Sequence, residues 1–295
     1  MEQYDVLRFF KGARLYDLRT VDPHVIEHIQ KLNVKNYLHE AHYWTDKPKI
    51  IELCDAIDTN PFHFFFYMIA RFYYFDNGTN PIVYFYAERE HTYFTRMALE
   101  SLPKRFIRET TKRDTHEYIE MPGCEWYGDF IKEDWIYAYV RDLYKDIWSS
   151  TKQEKGKFSY ISRNKVARKM RMILNEDELY EPLKNLGFCI YYMEDLTFDQ
   201  QIKLFRSSEV IVGTHAAALS YLIFCEPGTR VCELNDYQQK DLKNHFIDVC
   251  VKCNLRYSRF TDLINVEDGM DNRRIDCVKF IDSLKSLTSV DVTSR

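Results

Sequence analysis

Nine glycines in 295 residues leave this chain without a single Gly-x-Gly. A dinucleotide site uses that pair to bring backbone against a pyrophosphate, so an oxidoreductase of the nicotinamide or flavin type has no support, and no P-loop is present either. Asp-x-Asp is also missing, which removes the carboxylate pair that commonly fixes a cation on a diphosphate. The eight cysteines follow no disulfide-framework spacing and read as reduced thiols. Cys250-Val251-Lys252-Cys253 is a lone CxxC, without the second pair a structural zinc site needs, so no metal site is expected. The first residues carry Glu2 and Asp5 and no apolar core, so no secretory leader is expected. The most apolar run, 62–75, is broken by His63 and Arg71, and it is shorter than the ~20 residues of a spanning helix. These absences together predict a soluble, cytoplasmic protein with no membrane span, in which Asn77-Gly78-Thr79 is a turn rather than a glycosylation site.

What is present fits a globular α/β protein. A net charge of −4 argues against a dedicated nucleic-acid binder. An apolar content of 45% excludes wholesale disorder, and 295 residues leave room for two domains. The 22 tyrosines and 20 phenylalanines are a high aromatic load. Most must be core, although aromatic faces are also platforms for sugar rings.

The region 158–234 carries the clearest pattern. Phe158-Ser159-Tyr160-Ile161 reads as a strand ending at Ser162-Arg163, and a capped helix opens near Asn175-Glu176 and stops at Gly187. Residues 188–193 form a second strand. Thr197 and Gln200 form a capping-box pair that opens a helix to about Ser207. Glu209-Val210-Ile211-Val212 is a third strand, running through Gly213-Thr214-His215 into a helix start at Ala216-Ala217-Ala218. Pro227-Gly228 is a turn before a fourth strand, Arg230-Val231-Cys232-Glu233-Leu234. Strands alternating with helices predict a parallel sheet, with ligands beyond the carboxyl ends of its strands. Arg163, Thr214, His215 and Glu233 fall at or near those ends.

The N-terminal half is expected to be a second α/β domain. Asp22-Pro23 and Pro61 each open a helix, the second running to about Phe75; 81–87 is a strand, followed by a helix through Arg96 to Ser101. The polar stretch 149–157 reads as the linker, giving domains 1–150 and 151–270, with 271–295 as a final helix.

The candidate chemistry is that of a phosphate-bearing donor. Arg163 and Arg168 belong to a basic run with Lys165, Lys169 and Arg171; its simplest reading is a solvated face, but a guanidinium after a strand end also forks onto phosphate oxygens. The amides of Ala216, Ala217 and Ala218 offer a helix N-terminus to the same anion. Thr214 and His215 sit beside them, and His215 can also be a packing residue. Glu233 at a strand end can accept two ribose hydroxyls, or form a surface ion pair. Asn175 and Glu176 explain themselves as helix cap and first-turn acid. His63 lies on an aromatic helix, either as a satisfied core histidine or as a base, since imidazole titrates near neutral pH. Glu88 and Glu90 are rival bases. His24 and His28 read as surface.

The sequence Ile161-Ser162-Arg163, Arg168, Arg171, Ile173-Leu174-Asn175-Glu176, Gly187-Phe188, Gln201-Ile202, 210–219 and 227–234 resembles glycosyltransferase family 61, and Asn60-Pro61-Phe62-His63-Phe64 with Arg71 is similar to its N-terminal histidine helix. One departure stands out: the family's His-Gly-Ala-Gly-Leu is His215-Ala216-Ala217-Ala218-Leu219 here, which brings methyl groups toward any phosphate. The resemblance implies a GT-B architecture, two Rossmann-like domains with a cleft between them and the last helix packing back on the first domain. It also implies an inverting, metal-independent transferase that needs no cofactor and moves a sugar from a UDP-sugar to a glycan acceptor. Its many pentosyltransferases favour UDP-xylose over UDP-N-acetylglucosamine. The missing leader fits a short cytosolic version, as in a microbe or large virus. The alanine substitutions motivate an alternative, an inactive sugar- or nucleotide-binding protein on the same fold.

Overall fold

A computed structural model describes residues 49–53, 60–74, 76, 78–86, 93–111, 117–120, 131, 134–166, 169–236 and 245–288. The chain divides into two compact units, Met1–Leu143 and Tyr144–Arg295. The polar stretch 149–157 therefore lies inside the second unit. The expected helix at Asp22-Pro23, His24, His28, Glu88, Glu90 and Arg168 lie outside the described residues.

The first unit is built on four parallel strands, β1 (Lys49–Leu53), β2 (Ile82–Tyr86), β3 (Phe106–Glu109) and β4 (Glu117–Glu120), in the order β3-β2-β1-β4. Pro61 opens the helical segment after β1 as expected, with Asn60 accepting the Phe62 amide at 2.9 Å. The segment is not one α-helix. It runs as α over Pro61–His63, π over Phe64–Met68 and 3₁₀ over Ile69–Tyr74. Phe64, Phe65 and Phe66 are all wholly buried. An α-helix cannot turn three consecutive large rings onto one face, and the change of winding finds each a partner: Phe64 and Phe65 meet Phe94, and Phe66 meets Tyr137. Helix α1 (Tyr93–Glu100) covers the region expected to be helical, and α2 (Asp134–Leu143) closes the unit.

Buried Asp76 is an anchor of this unit. Arg105 donates Nη2 to it at 2.8 Å, the Gly78 amide at 2.7 Å and Tyr139 at 3.0 Å. Burial alone would raise its carboxyl; these donors outweigh burial and hold it below the usual range.

The second unit opens with α3 (Lys145–Trp148), which packs on α5 (Phe198–Ser207). Its sheet holds β5 (Phe158–Ser162), β6 (Phe188–Tyr192), β7 (Val210–Thr214), β8 (Arg230–Leu234) and β9 (Arg256–Phe260), all parallel, in the order β6-β5-β7-β8-β9. The local signals act as the sequence predicts. Thr197 and Gln200 form the reciprocal capping box. Gly187 ends α4 (Asp177–Asn185) at φ +87°, and Gly228 turns at φ +87° with its amide on Asn254.

Other expectations are corrected. The stretch after His215 is a 3₁₀ segment, Ala217–Phe224, buried from Leu219 onward. Residues apolar on every side have no single face to lay down, so packing sets the winding. The final helix expected over 271–295 starts later: β11 (Arg273–Ile275) pairs antiparallel with β10 (Leu263–Asn265), and only then does α7 (Cys277–Thr288) begin. The buried side chains of α7, Phe280 and Leu284, belong to the second unit's own core with Leu179, Leu183, Tyr160 and Val212. Helix α6 (His245–Lys252) and edge strand β9 were not anticipated. β9 carries two arginines in five residues and has no apolar run to announce it, as suits an edge. Among the described residues no helix is long and apolar enough to cross a membrane.

Candidate functional site

β6 lies on one side of β5 and β7 on the other, so the strand order reverses between β5 and β7. A crevice opens at the carboxyl ends of such a strand pair. β5 ends at Ser162 and runs into Arg163; β7 ends at Thr214 and runs into His215. These four residues share one edge of the sheet.

The turn after β7 presents unused hydrogen-bonding groups. Thr214 is 6% exposed, and its hydroxyl has no partner among the described residues. The amides of Ala216, Ala217 and Ala218 likewise find no acceptor there, because the first N–H groups of a helical turn have no carbonyl behind them. Consecutive free amides next to a free hydroxyl make a nest for an anion. Ala216 is extended (φ −155°, ψ 161°), and neither Ala217 nor Ala218 has positive φ, so no glycine is required at these positions. Ala216 is also buried, so its methyl is absorbed by the fold.

Behind this turn lies a closed polar network. Alternation along β8 puts Cys232 and Leu234 in the core with α4 and α7, which turns Glu233 to the opposite face, that of His215. His215 (4% exposed) points Nδ1 at Oε1 of Glu233 (1% exposed). Asn235 donates to the same oxygen at 3.0 Å, and Tyr257 donates its hydroxyl to Oε2. Arg259 Nε donates to the Tyr257 oxygen at 3.0 Å. Burial and the charge of Glu233 push the Tyr257 phenol far above its ordinary value, so it remains a donor. Both Glu233 oxygens are committed inward. Glu233 is thus held by side chains of its own unit, and Asn235, Tyr257 and Arg259 join it in a network that the sequence did not point to. No local motif marks them; Asn235 follows Glu233 by two residues, and Tyr257 and Arg259 are brought to it by β8–β9 pairing.

A second network holds the β5 end. Glu176 is 2% exposed and accepts Tyr160 at 2.8 Å, Ser162 at 2.6 Å and Tyr180 at 3.1 Å, together with the Arg163 amide. Burial raises its carboxyl above the usual range despite these donors. Asn175 exchanges two hydrogen bonds with the Ile275 backbone, both at 3.0 Å. The pair Asn175-Glu176 is therefore a buried clamp. The expected cap is corrected: neither side chain satisfies the start of α4. Gln201 is structural in the same way, holding the carbonyls of Met193 and Leu196 and accepting Tyr221.

Three residues of the basic run have partners close to the β5 end. Arg163 donates Nη2 to Met170 O at 3.0 Å, Lys169 donates to Asn164 O at 2.7 Å, and Lys165 pairs with Asp195 above the Tyr192 ring. In the first unit, His63 is half-buried between Phe62 and Tyr67, each ring centroid 5.7 Å away, in the first turn after Asn60. Among the described residues no group of three or more His, Cys, Asp or Glu is disposed to hold a metal ion.

Residues 61–232, more than half of the chain, match the family model described as Glycosyltransferase 61. A stretch of 121 residues is 31% identical to the EGF domain-specific O-linked N-acetylglucosamine transferase of Drosophila melanogaster, covering 39% of this chain and 22% of that protein. The chain thus spans about a fifth of the length of this curated relative.

Proposed function

This chain belongs to glycosyltransferase family 61, and on that premise we propose that it is a glycosyltransferase that moves a sugar from a UDP-sugar to a glycan hydroxyl. The observation that carries this reading is the β7 turn, where three amides and the Thr214 hydroxyl find no acceptor among the described residues at the sheet's switch point. A diphosphate supplies acceptor oxygens to all four, and fixed donors aimed at a leaving group stabilise the charge it develops. In this reading no metal takes part, the two units form a GT-B pair, and the outcome is inversion. His215, held by Glu233, stands next to the diphosphate, and Arg163 and Arg168 are the proposed guanidinium partners of its oxygens. His63 is the proposed base on the acceptor. For the donor sugar, the relative's name favours N-acetylglucosamine over the xylose expected from the sequence.

The test is incubation of the full chain with UDP-N-acetylglucosamine and UDP-xylose, with and without EDTA, following UDP release and UDP binding by NMR. Slow, EDTA-insensitive hydrolysis of one donor is the expected result. Absence of binding to any UDP compound would end this reading. Binding without turnover on any acceptor would turn it into that of an inactive binding protein.

A further inference from the structure

The turn after β7 lies at the carboxyl end of the second unit's sheet. The opposite end of the same sheet is concave too. A cavity of about 460 Å³ opens there, where Arg230 begins β8, Arg256 begins β9 and Ser286 and Leu287 end α7. A five-residue strand spans about 16 Å, so the cavity and the turn are separate places.

Strand register brings two like charges together at this cavity. Arg230 and Arg256 are direct partners in the β8–β9 ladder, and both line the cavity. Alternation puts them on the face of Cys232 and Phe260, the face that α7 covers through Phe280. Neighbouring strands run about 4.8 Å apart, so the two guanidinium side chains leave the sheet side by side. Glu209, just before β7, stands with Arg230: Arg230 Nη2 donates to its Oε1 at 2.5 Å, and the Gly156 amide holds Oε2 at 2.5 Å. Both oxygens of Glu209 are thus used where they stand. Arg256 is exposed at the rim. A guanidinium carries five N–H donors in a planar fork, so an arginine that is already engaged can still take a phosphate oxygen.

We propose that this cavity binds a small phosphomonoester, the size of a monosaccharide phosphate, with Arg256 and Arg230 as its guanidinium ligands. A carboxylate has two oxygens and is filled by one fork. A phosphomonoester has three terminal oxygens and nearly two charges at neutral pH, so two adjacent forks can share it. The second charge also offsets the repulsion from Glu209, which a single charge does less well. The volume lies near the lower end of small-ligand sites, about 300–1,000 Å³, which leaves room for one sugar ring against Pro227 and Leu287. The site does not depend on the β7 turn being a diphosphate cradle.

The test is titration of the full chain with glucose 6-phosphate, read by calorimetry and by the backbone amide signals in heteronuclear NMR. The expected result is saturable binding that moves the amides of 228–230 and 256–258. Arg256→Gln, at an exposed position, should weaken it about tenfold. Glu209→Gln, which removes the opposing charge and keeps both arginines, should tighten it. A merely structural trio would change the melting temperature in these variants and leave both affinities alone. No binding at millimolar ligand, unchanged affinity in either folded variant, or equal affinity for glucuronate overturns the proposal. Shifts confined to 214–218 would put the phosphate in the turn after β7 and overturn it as well. UDP, titrated separately, tests that turn: loss of UDP binding there leaves the result at Arg256 standing.

Discussion

Glu176, in the turn before α4, and Glu233, on β8, are two carboxylates of one unit, each almost wholly buried. Their partners differ. Around Glu176 the donors are two phenols, a serine hydroxyl and a backbone amide, none of which carries charge at neutral pH. Glu233 faces an imidazole. Neutral donors can only hold a carboxylate, and the one they hold is strained toward protonation by burial. An imidazole can exchange charge with it. Equal burial therefore supports two roles: Glu176 clamps the β5 loop, and Glu233 holds the His215 ring.

The largest expected effect comes from deleting the carboxylate that faces the imidazole. Glu233→Ala leaves His215, Asn235 and Tyr257 facing a void, and should cost about 3–5 kcal/mol in urea unfolding, with UDP binding lost as well. A loss near zero would mean the pair is not closed in solution. Glu176→Gln should cost less, about 1–3 kcal/mol, because one amide oxygen replaces two oxygens shared by four donors. The pH profile distinguishes the two. The unfolded chain releases the Glu176 proton at a lower pH than the folded chain does. Stability contributed by this group therefore falls as pH climbs from the ordinary carboxylate range to the raised value. Thermal melts across that window should show the decline in wild type and a flatter line in Glu176→Gln; identical slopes would remove the raised carboxyl.

Smaller changes probe the cradle. Ala217→Pro removes one amide at the first position of the 3₁₀ turn, where proline's fixed φ is welcome and extended Ala216 suits the preceding residue. UDP affinity, by calorimetry, should fall about tenfold with little change in melting temperature. Retained affinity would take that amide out of the site. Thr214→Val is the gentlest: replacing a buried hydroxyl that has no partner among the described residues should raise stability by up to about 1 kcal/mol while UDP binding weakens several-fold. A drop in both would assign the hydroxyl to the fold.

Much of the second unit is legible in order along the chain. The capping box at Thr197, the stop at Gly187, the turn at Pro227-Gly228 and the apolar strands β5, β7 and β8 follow from short-range rules, because each depends on residues within a few positions of one another. They also place Thr214, His215 and the three alanines at a strand end. The first unit is less legible. Its dense aromatics carry no period, and the winding changes of 61–74 answer to rings from elsewhere in the unit.

What local sequence could not convey is which buried polar group meets which. Nothing near Glu233 in the chain announces Tyr257 and Arg259 as its neighbours until β9 is laid beside β8. Asn175 reads as a cap until Ile275, a hundred residues on, arrives to claim it. Helix starts, stops and strand alternation are governed by the local backbone, so they are written into neighbouring residues. The partner of a buried carboxylate is chosen by strand order and register, which exist only once the chain has folded.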